Sequence, residues 1–272
     1  MHAAETCLNV AIDHRIRDLF IPVTLPVGSS VPSAQPEHQG FCGITDYIDS
    51  LRKVDSKETD VTRRLAGPYG VTRGITVLLK QPRDRHAFGH GMAATVRDCG
   101  TLQALHDMFQ AVTFRTVGIS DVNVIDALPF VRPADEKHAT GADKSLFSSE
   151  TKNKLRFKVR QFLEQIAPSV IMCASQEEIL SDPLADLVSC GVGRSFTGDP
   201  NIDIGGHSCC RVNSFHPSSA LNYHKLEPKL RQLLLLETVQ SCQQMERTWK
   251  PDDWMIELRL SCEKIFSGIP QA

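Results

Sequence analysis

Three short, largely apolar runs, each stopping at a polar or proline-bearing turn, constrain this chain more than any other feature. They are "ITVLL" at 75–79, which runs into Lys80, "DVNVIDALPF" at 121–130, which ends at Pro129–Phe130, and "SVIMCAS" at 169–175. A strand that is apolar on both faces is poorly suited to a sheet with one side in water. It belongs in a parallel sheet covered by helices on both sides. The intervening segments have the matching helical period: Leu102, Leu105, Met108, Phe109 and Val112 in one, Leu155, Val159, Phe162, Leu163 and Ile166 in the other. Pro168 follows the second and marks its end. "CCRVNSF" at 209–215 reads as a fourth strand, 227–245 as a helix with Pro228 in its first turn, and 252–266 as a last helix. The expected fold is a three-layer α/β/α sandwich over residues 71–272, with a central, mostly parallel four-stranded sheet.

Residues 1–70 have a different texture. The stretch 21–40, "IPVTLPVGSSVPSAQPEHQG", carries four prolines, three serines and two glycines, which resist regular structure. An irregular N-terminal extension with one short helix near 43–55 is expected, offering a surface to a protein partner. There is no internal repeat.

Charge and cysteine usage narrow the setting. A net charge of −2 and a pI near 6.5 give no global pull toward nucleic acid or anionic membrane, so a polyanion would need a local basic face. The run from Lys152 to Arg160, with basic residues at every second position, could supply one beside Arg132 and Lys137, although a solvated face is the default for such a run. Nine cysteines are scattered without C-x-x-C spacing, and no basic, apolar leader opens the chain. No apolar run approaches the roughly 20 residues of a membrane span. The expectation is an intracellular protein, nuclear or cytoplasmic, with free thiols and no membrane partner.

In open parallel sheets, ligands sit beyond the carboxyl ends of the strands. Those ends are rich in chemistry here. The first offers Lys80, Gln81, Asp84, His86, Phe88 and His90; the second offers Asp126, followed by Arg132–Pro133; the fourth runs into His216-Pro217-Ser218. Each residue also has a plainer reading: Lys80 and Gln81 as solvated turn residues, Phe88 as a core aromatic. Asp126 is the least plain, because a lone acid ending an apolar strand is costly to bury. His207, Cys209, Cys210, His216 and His224 form the densest set of soft ligands, but their spacing is not that of a zinc site, and no metal or cofactor is expected.

The ordered set "LLKQP", "HAFGHG", "VIDALPFVRP", "RQFLEQIAPSVIMCAS" and "SFHPSSALNYH" resembles the uracil-DNA glycosylase superfamily over roughly residues 74–236. The resemblance implies a DNA partner and hydrolysis of the N-glycosidic bond of a base turned out of the duplex. It implies Phe88 as the stacking platform, Asp126 at the base-recognition position, and Lys80 and Gln81 in the first ligand loop. His216 would stabilise charge on the departing base. Arg132, Ser218, Ser219 and Leu221 would face the DNA, with Leu221 as a wedge into the stack. The departures are as informative. Lys80 and Gln81 stand where the family has a carboxylate or Asn beside the Pro, Leu79 where it has Gly, and Asp126 where it has Asn. A positioned general base contributes roughly 10²–10⁴-fold, so an acid such as Asp126 or Asp84 would have to hold the water. The alternatives are a catalytically inactive descendant that binds nucleic acid or protein through the same cleft, and a metal-dependent hydrolase.

Overall fold

The computed structural model describes residues 8–24, 39–52, 54–67, 74–82, 88–140, 144, 147–174, 201–223 and 227–267. Its centre is a five-stranded sheet in the order β2-β1-β3-β5-β4. The strands are β1 (Ile75–Leu79), β2 (Asn123–Asp126), β3 (Val170–Cys173), β4 (Asn201–Ile204) and β5 (His207–Asn213). Four of them are mutually parallel and β4 pairs antiparallel with β5.

Apolar residues alternate strictly between the two sides of this sheet. Ile75, Val77, Leu79, Val170, Met172 and Val212 point into one core; Leu78, Ile125, Ile171, Cys173 and Cys209 point into the other. That alternation is why β1 and β3 show no exposed face. The first core is covered by α1 (His14–Arg17), α5 (Gly100–Val112), α8 (Pro228–Met245) and α9 (Asp253–Ser267). The second lies under α2 (Gln39–Leu51) and α7 (Ser149–Ile166). The α/β/α sandwich is therefore as the apolar strands and amphipathic helices required.

The sheet has five strands rather than four. β4 and β5 form a hairpin closed by Gly205–Gly206, at φ +60° and +83°, with Ile204 paired to His207. Two consecutive residues at positive φ make the tight turn whose twist suits antiparallel strands. A side chain at 205 would also meet Glu164, whose Cγ lies 2.9 Å from the position of an added Cβ. The second strand is shorter than its sequence run, ending at Asp126. Beyond it the amides of Ala127 and Leu128 still donate to the carbonyls of Leu79 (2.7 Å) and Lys80 (3.0 Å). The chain then turns through Phe130, which is buried at φ +66°.

In the segment read as an irregular extension, the short helix expected near 43–55 is α2, while α1 and a second long helix were not expected; all of them pack on the sandwich. Phe41, Ile44 and Ile48 of α2 recur at helical spacing, and Phe41 meets the edge of the Phe162 ring of α7 at 5.7 Å. A further helix, α3 (Ser56–Ala66), begins at Asp55, whose carboxylate accepts the amide of Lys57 at 2.7 Å. α3 packs beside β2 and against a short 3₁₀ turn at Phe88–His90, which leads into α4 (Met92–Asp98). The α7 helix is bounded as its sequence suggests. Ser148 Oγ accepts the Thr151 amide at 3.1 Å, and Ala167 at φ +44° turns the chain out before Pro168.

Candidate ligand-binding site

The parallel strands end nearly level. Leu79 pairs with Asp126, Leu78 with Cys173, and Cys173 with Asn213. β1 connects outward to β2 on one side, while β3 lies on its other side, so the strand order reverses direction at β1. Crossovers diverge at such a point and leave a crevice above the strand ends. A cavity of about 610 Å³ opens there. It is lined by Leu79, Lys80, Gln81 and Pro82 from the end of β1, Asp126 from the end of β2, and His216 and Ser218 from the segment after β5. Phe88 of the 3₁₀ turn adds an aromatic wall.

His216 is set by its own turn. Its Nδ1 accepts the backbone N–H of Ser218 at 3.2 Å and lies 2.6 Å from the Ser218 hydroxyl. A backbone N–H can only donate, so Nδ1 carries no proton and the neutral ring holds its hydrogen on Nε2. Burial, with the Lys80 ammonium as a second cause, pushes the His216 pKa down to about 4. The imidazole is therefore neutral at physiological pH and offers the cavity an N–H donor. Pro217 and the amide of Ser219, which donates to the His216 carbonyl at 2.8 Å, stiffen the turn.

Asp126 behaves in the opposite sense. Burial raises its carboxyl pKa to about 7. Its side chain has no hydrogen-bond or ion-pair partner among the described residues, and the two amides just after it are committed to β1. With no donor among the described residues to stabilise the anion, the carboxyl gives up its proton only near neutral pH.

Phe88 is 7% exposed, with the Arg132 guanidinium over its ring at 5.4 Å. Arg132 also pairs with the buried Glu58 of α3 at 2.5 Å. The carbonyl of Phe88 accepts the Gly91 amide at 2.9 Å, and Gly91 at φ +82° turns the chain into α4. That backbone conformation suits glycine and explains the "FGHG" run.

Lys80, Gln81, Phe88, Asp126, His216 and Ser218 thus meet in one cavity, as the strand-end reading expects. Asp84 and His86 lie outside the described residues. Ser219 is half-buried beside the cavity turn, and Leu221 is half-buried against the first core rather than projecting into solvent. Arg132 is held by Glu58 and Phe88, so a phosphate would have to compete with a buried carboxylate for it. The basic run is likewise engaged locally. Lys152 pairs with Glu136 (2.6 Å) and Lys154 with Glu150 (2.8 Å), Lys158 stands over the Tyr47 ring, and Arg160 donates to the Asp203 carbonyl at 3.0 Å. Arg156 is 4% exposed and donates to Asn153.

No three His, Cys, Asp or Glu side chains among the described residues come together as a metal site. His207, Cys209 and Cys210 sit at the start of β5, whose seven residues at about 3.3 Å each carry them far from His216. His224 lies outside the described residues. Cys209 faces the second core, where burial pushes its thiol up to about 12.

Several residues of the site were not foreseen. Thr62 and Leu65 enter the wall because α3 packs there, and Thr101 and Leu102 because α5 starts there. Tyr223, at the end of a π-helical turn (Ser219–Tyr223), lines the mouth while 79% exposed. Its only sequence signal was an aromatic close behind the His216 turn. The support beneath His216 was also hidden. Glu237 of α8 accepts the Ser214 hydroxyl at 2.5 Å and faces Arg259 of α9 at 3.1 Å, and Arg259 donates to the Asn213 carbonyl at 3.2 Å. Glu237 and Arg259 are 0% and 1% exposed.

No helix among the described residues is long and apolar enough to cross a membrane. No protein-family model matches the chain, and no curated protein matches it.

Proposed function

We propose that this chain is a uracil-DNA glycosylase-like protein that hydrolyses the N-glycosidic bond of a base turned out of DNA into the cavity. One observation carries this reading: Lys80, Gln81, Phe88, Asp126, His216 and Ser218, drawn from three separate strand ends, line a single cavity. In this reading the base lies against Phe88, and Asp126 hydrogen-bonds its edge. His216 donates from Nε2 to the atom that gathers negative charge as the bond breaks. A neutral donor suits that task, since its N–H is already aimed and no proton has to be lost first. Gln81, beside Pro82, orients the water without acting as a general base. The reaction on an ordinary deaminated base is then slow by roughly 10²–10⁴-fold relative to one with a positioned carboxylate.

The same substitution favours a second reading. With Lys80 and Gln81 at the water position, the cavity can hold an extruded base without cleaving the bond, which makes the protein a nucleic-acid-binding module. Single-turnover excision separates the two. Duplexes carrying uracil, hypoxanthine, mismatched thymine or 8-oxoguanine are incubated with excess protein and with the His216→Ala variant. The glycosylase reading expects an abasic product from at least one duplex and a loss of roughly 10²–10³-fold in His216→Ala. Product that survives both His216→Ala and Asp126→Ala refutes these roles. Binding without product from any duplex leaves the module.

A further inference from the structure

Resting on the reading of the cavity as a base pocket, we propose that Asp126 makes it select rings whose edge presents two adjacent N–H donors. The 2-amino-lactam edge of guanine and its lesions has this form; the single-donor edge of uracil does not. Asp126 lines the cavity, and no described residue donates to its carboxyl oxygens. The amides that would serve it in a turn, those of Ala127 and Leu128, are spent on the carbonyls of Leu79 and Lys80. Among the described residues none supplies donors to the carboxyl, and a ligand in the cavity can.

An ionised carboxylate only accepts, with two oxygens side by side. A ring N–H next to an exocyclic amino group meets both in a bidentate pair, as a guanidinium does. Uracil presents one N–H flanked by two carbonyl oxygens, and either oxygen would be pressed against a carboxylate oxygen. An amide at this position would not discriminate in this way, because it donates and accepts. The rest of the wall fits a ring with acceptors elsewhere: His216 Nε2 and Lys80 both donate, and Phe88 supplies a flat face.

Protonation supplies an internal control. A neutral Asp126 donates one hydrogen bond and accepts another, so it tolerates a lactam edge, and the two-donor preference falls on acidification. Among the described residues, the other titratable groups at the cavity wall are Lys80, Cys99, His216 and Tyr223, with the Glu58–Arg132 pair behind Phe88. His216 stays neutral from pH 5.5 to 8 and does not follow the change.

The test compares 2′-deoxyguanosine, 2′-deoxyinosine and 2′-deoxyuridine binding to the full chain by saturation-transfer NMR at pH 8 and 5.5. The first two ligands differ only in the 2-amino group. At pH 8 deoxyguanosine should bind about tenfold more tightly than the other two, the usual worth of a bidentate edge contact. The margin should shrink at pH 5.5 and vanish at both pH values in Asp126→Asn. Equal binding of all three at pH 8, a margin unchanged by pH, a margin that survives in Asp126→Asn, or no binding by any nucleoside overturns the inference. The pH comparison uses the unaltered chain, so it stands even if the variant folds poorly. Selective binding with no excision from any duplex supports the inference while removing the glycosylase reading.

Discussion

Asp126 and His216 should make opposite contributions to stability across the same acidic range, and separating them tests the electrostatics of the cavity. Folding raises the Asp126 pKa from 3.8 to about 7, so the folded chain holds a proton that the unfolded chain has released. Stability therefore falls as pH rises through that window, by about 1.4 kcal/mol per unit. His216 is lowered from 6.5 to about 4, so between those values the unfolded chain holds the extra proton. Stability rises with pH there, at the same limiting slope. In the unaltered protein the two nearly cancel between pH 4 and 6.5. Asp126→Asn removes the falling contribution, so its stability relative to wild type should climb with pH, by about 4 kcal/mol at most, and level off above pH 7. His216→Gln should show the reverse, with a relative advantage of about 3 kcal/mol at pH 4 that decays to a constant by pH 6.5. Urea unfolding at half-unit pH steps gives both difference curves. A flat curve for Asp126→Asn would mean that water or an undescribed donor solvates the carboxyl, and the reasoning from burial would fail.

The Lys80 ammonium is the second cause of the low His216 pKa, so Lys80→Met should move the imidazole titration upward, short of 6.5 because burial remains. The ring C–H shifts in a proton NMR titration report it directly. Beneath the same turn, Arg259→Leu leaves Glu237 buried without its cation and should cost about 3–5 kcal/mol in urea unfolding. The double variant Glu237→Leu/Arg259→Met should recover most of that loss, less what the abandoned Ser214 hydroxyl costs.

What was legible in the sequence was what burial enforces over short distances. β1 and β3 are apolar on both faces because each lies between two cores, and that pattern alone identifies central strands. The residues at the carboxyl ends of β1, β2 and β5 follow from topology, so Lys80, Asp126 and His216 could be named before any contact was known. Other features depend on long-range partners. α3 has charged residues along most of its length, and its site role rests on Glu58 reaching Arg132, 74 positions away in the sequence. α8 is buried on nearly every face, and nothing in its own sequence marks Glu237 as half of an internal ion pair. β4 was missed for a local reason: its residues are largely exposed and only Gly205–Gly206 announces the hairpin.

The Glu237–Arg259 pair ties the cavity to the last helix of the chain. Arg259 lies in α9, which contributes none of the described residues of the cavity wall, yet it holds the Asn213 carbonyl three residues before His216. Helices of a native fold open in local and sub-global fluctuations as well as in global unfolding. Here each such opening would release the backbone that aims the imidazole, so the amide-exchange rates of α9 and of residues 213–216 should share one opening event. Loss of α9 by proteolysis would disarm the pocket from behind, leaving every residue that lines it in place.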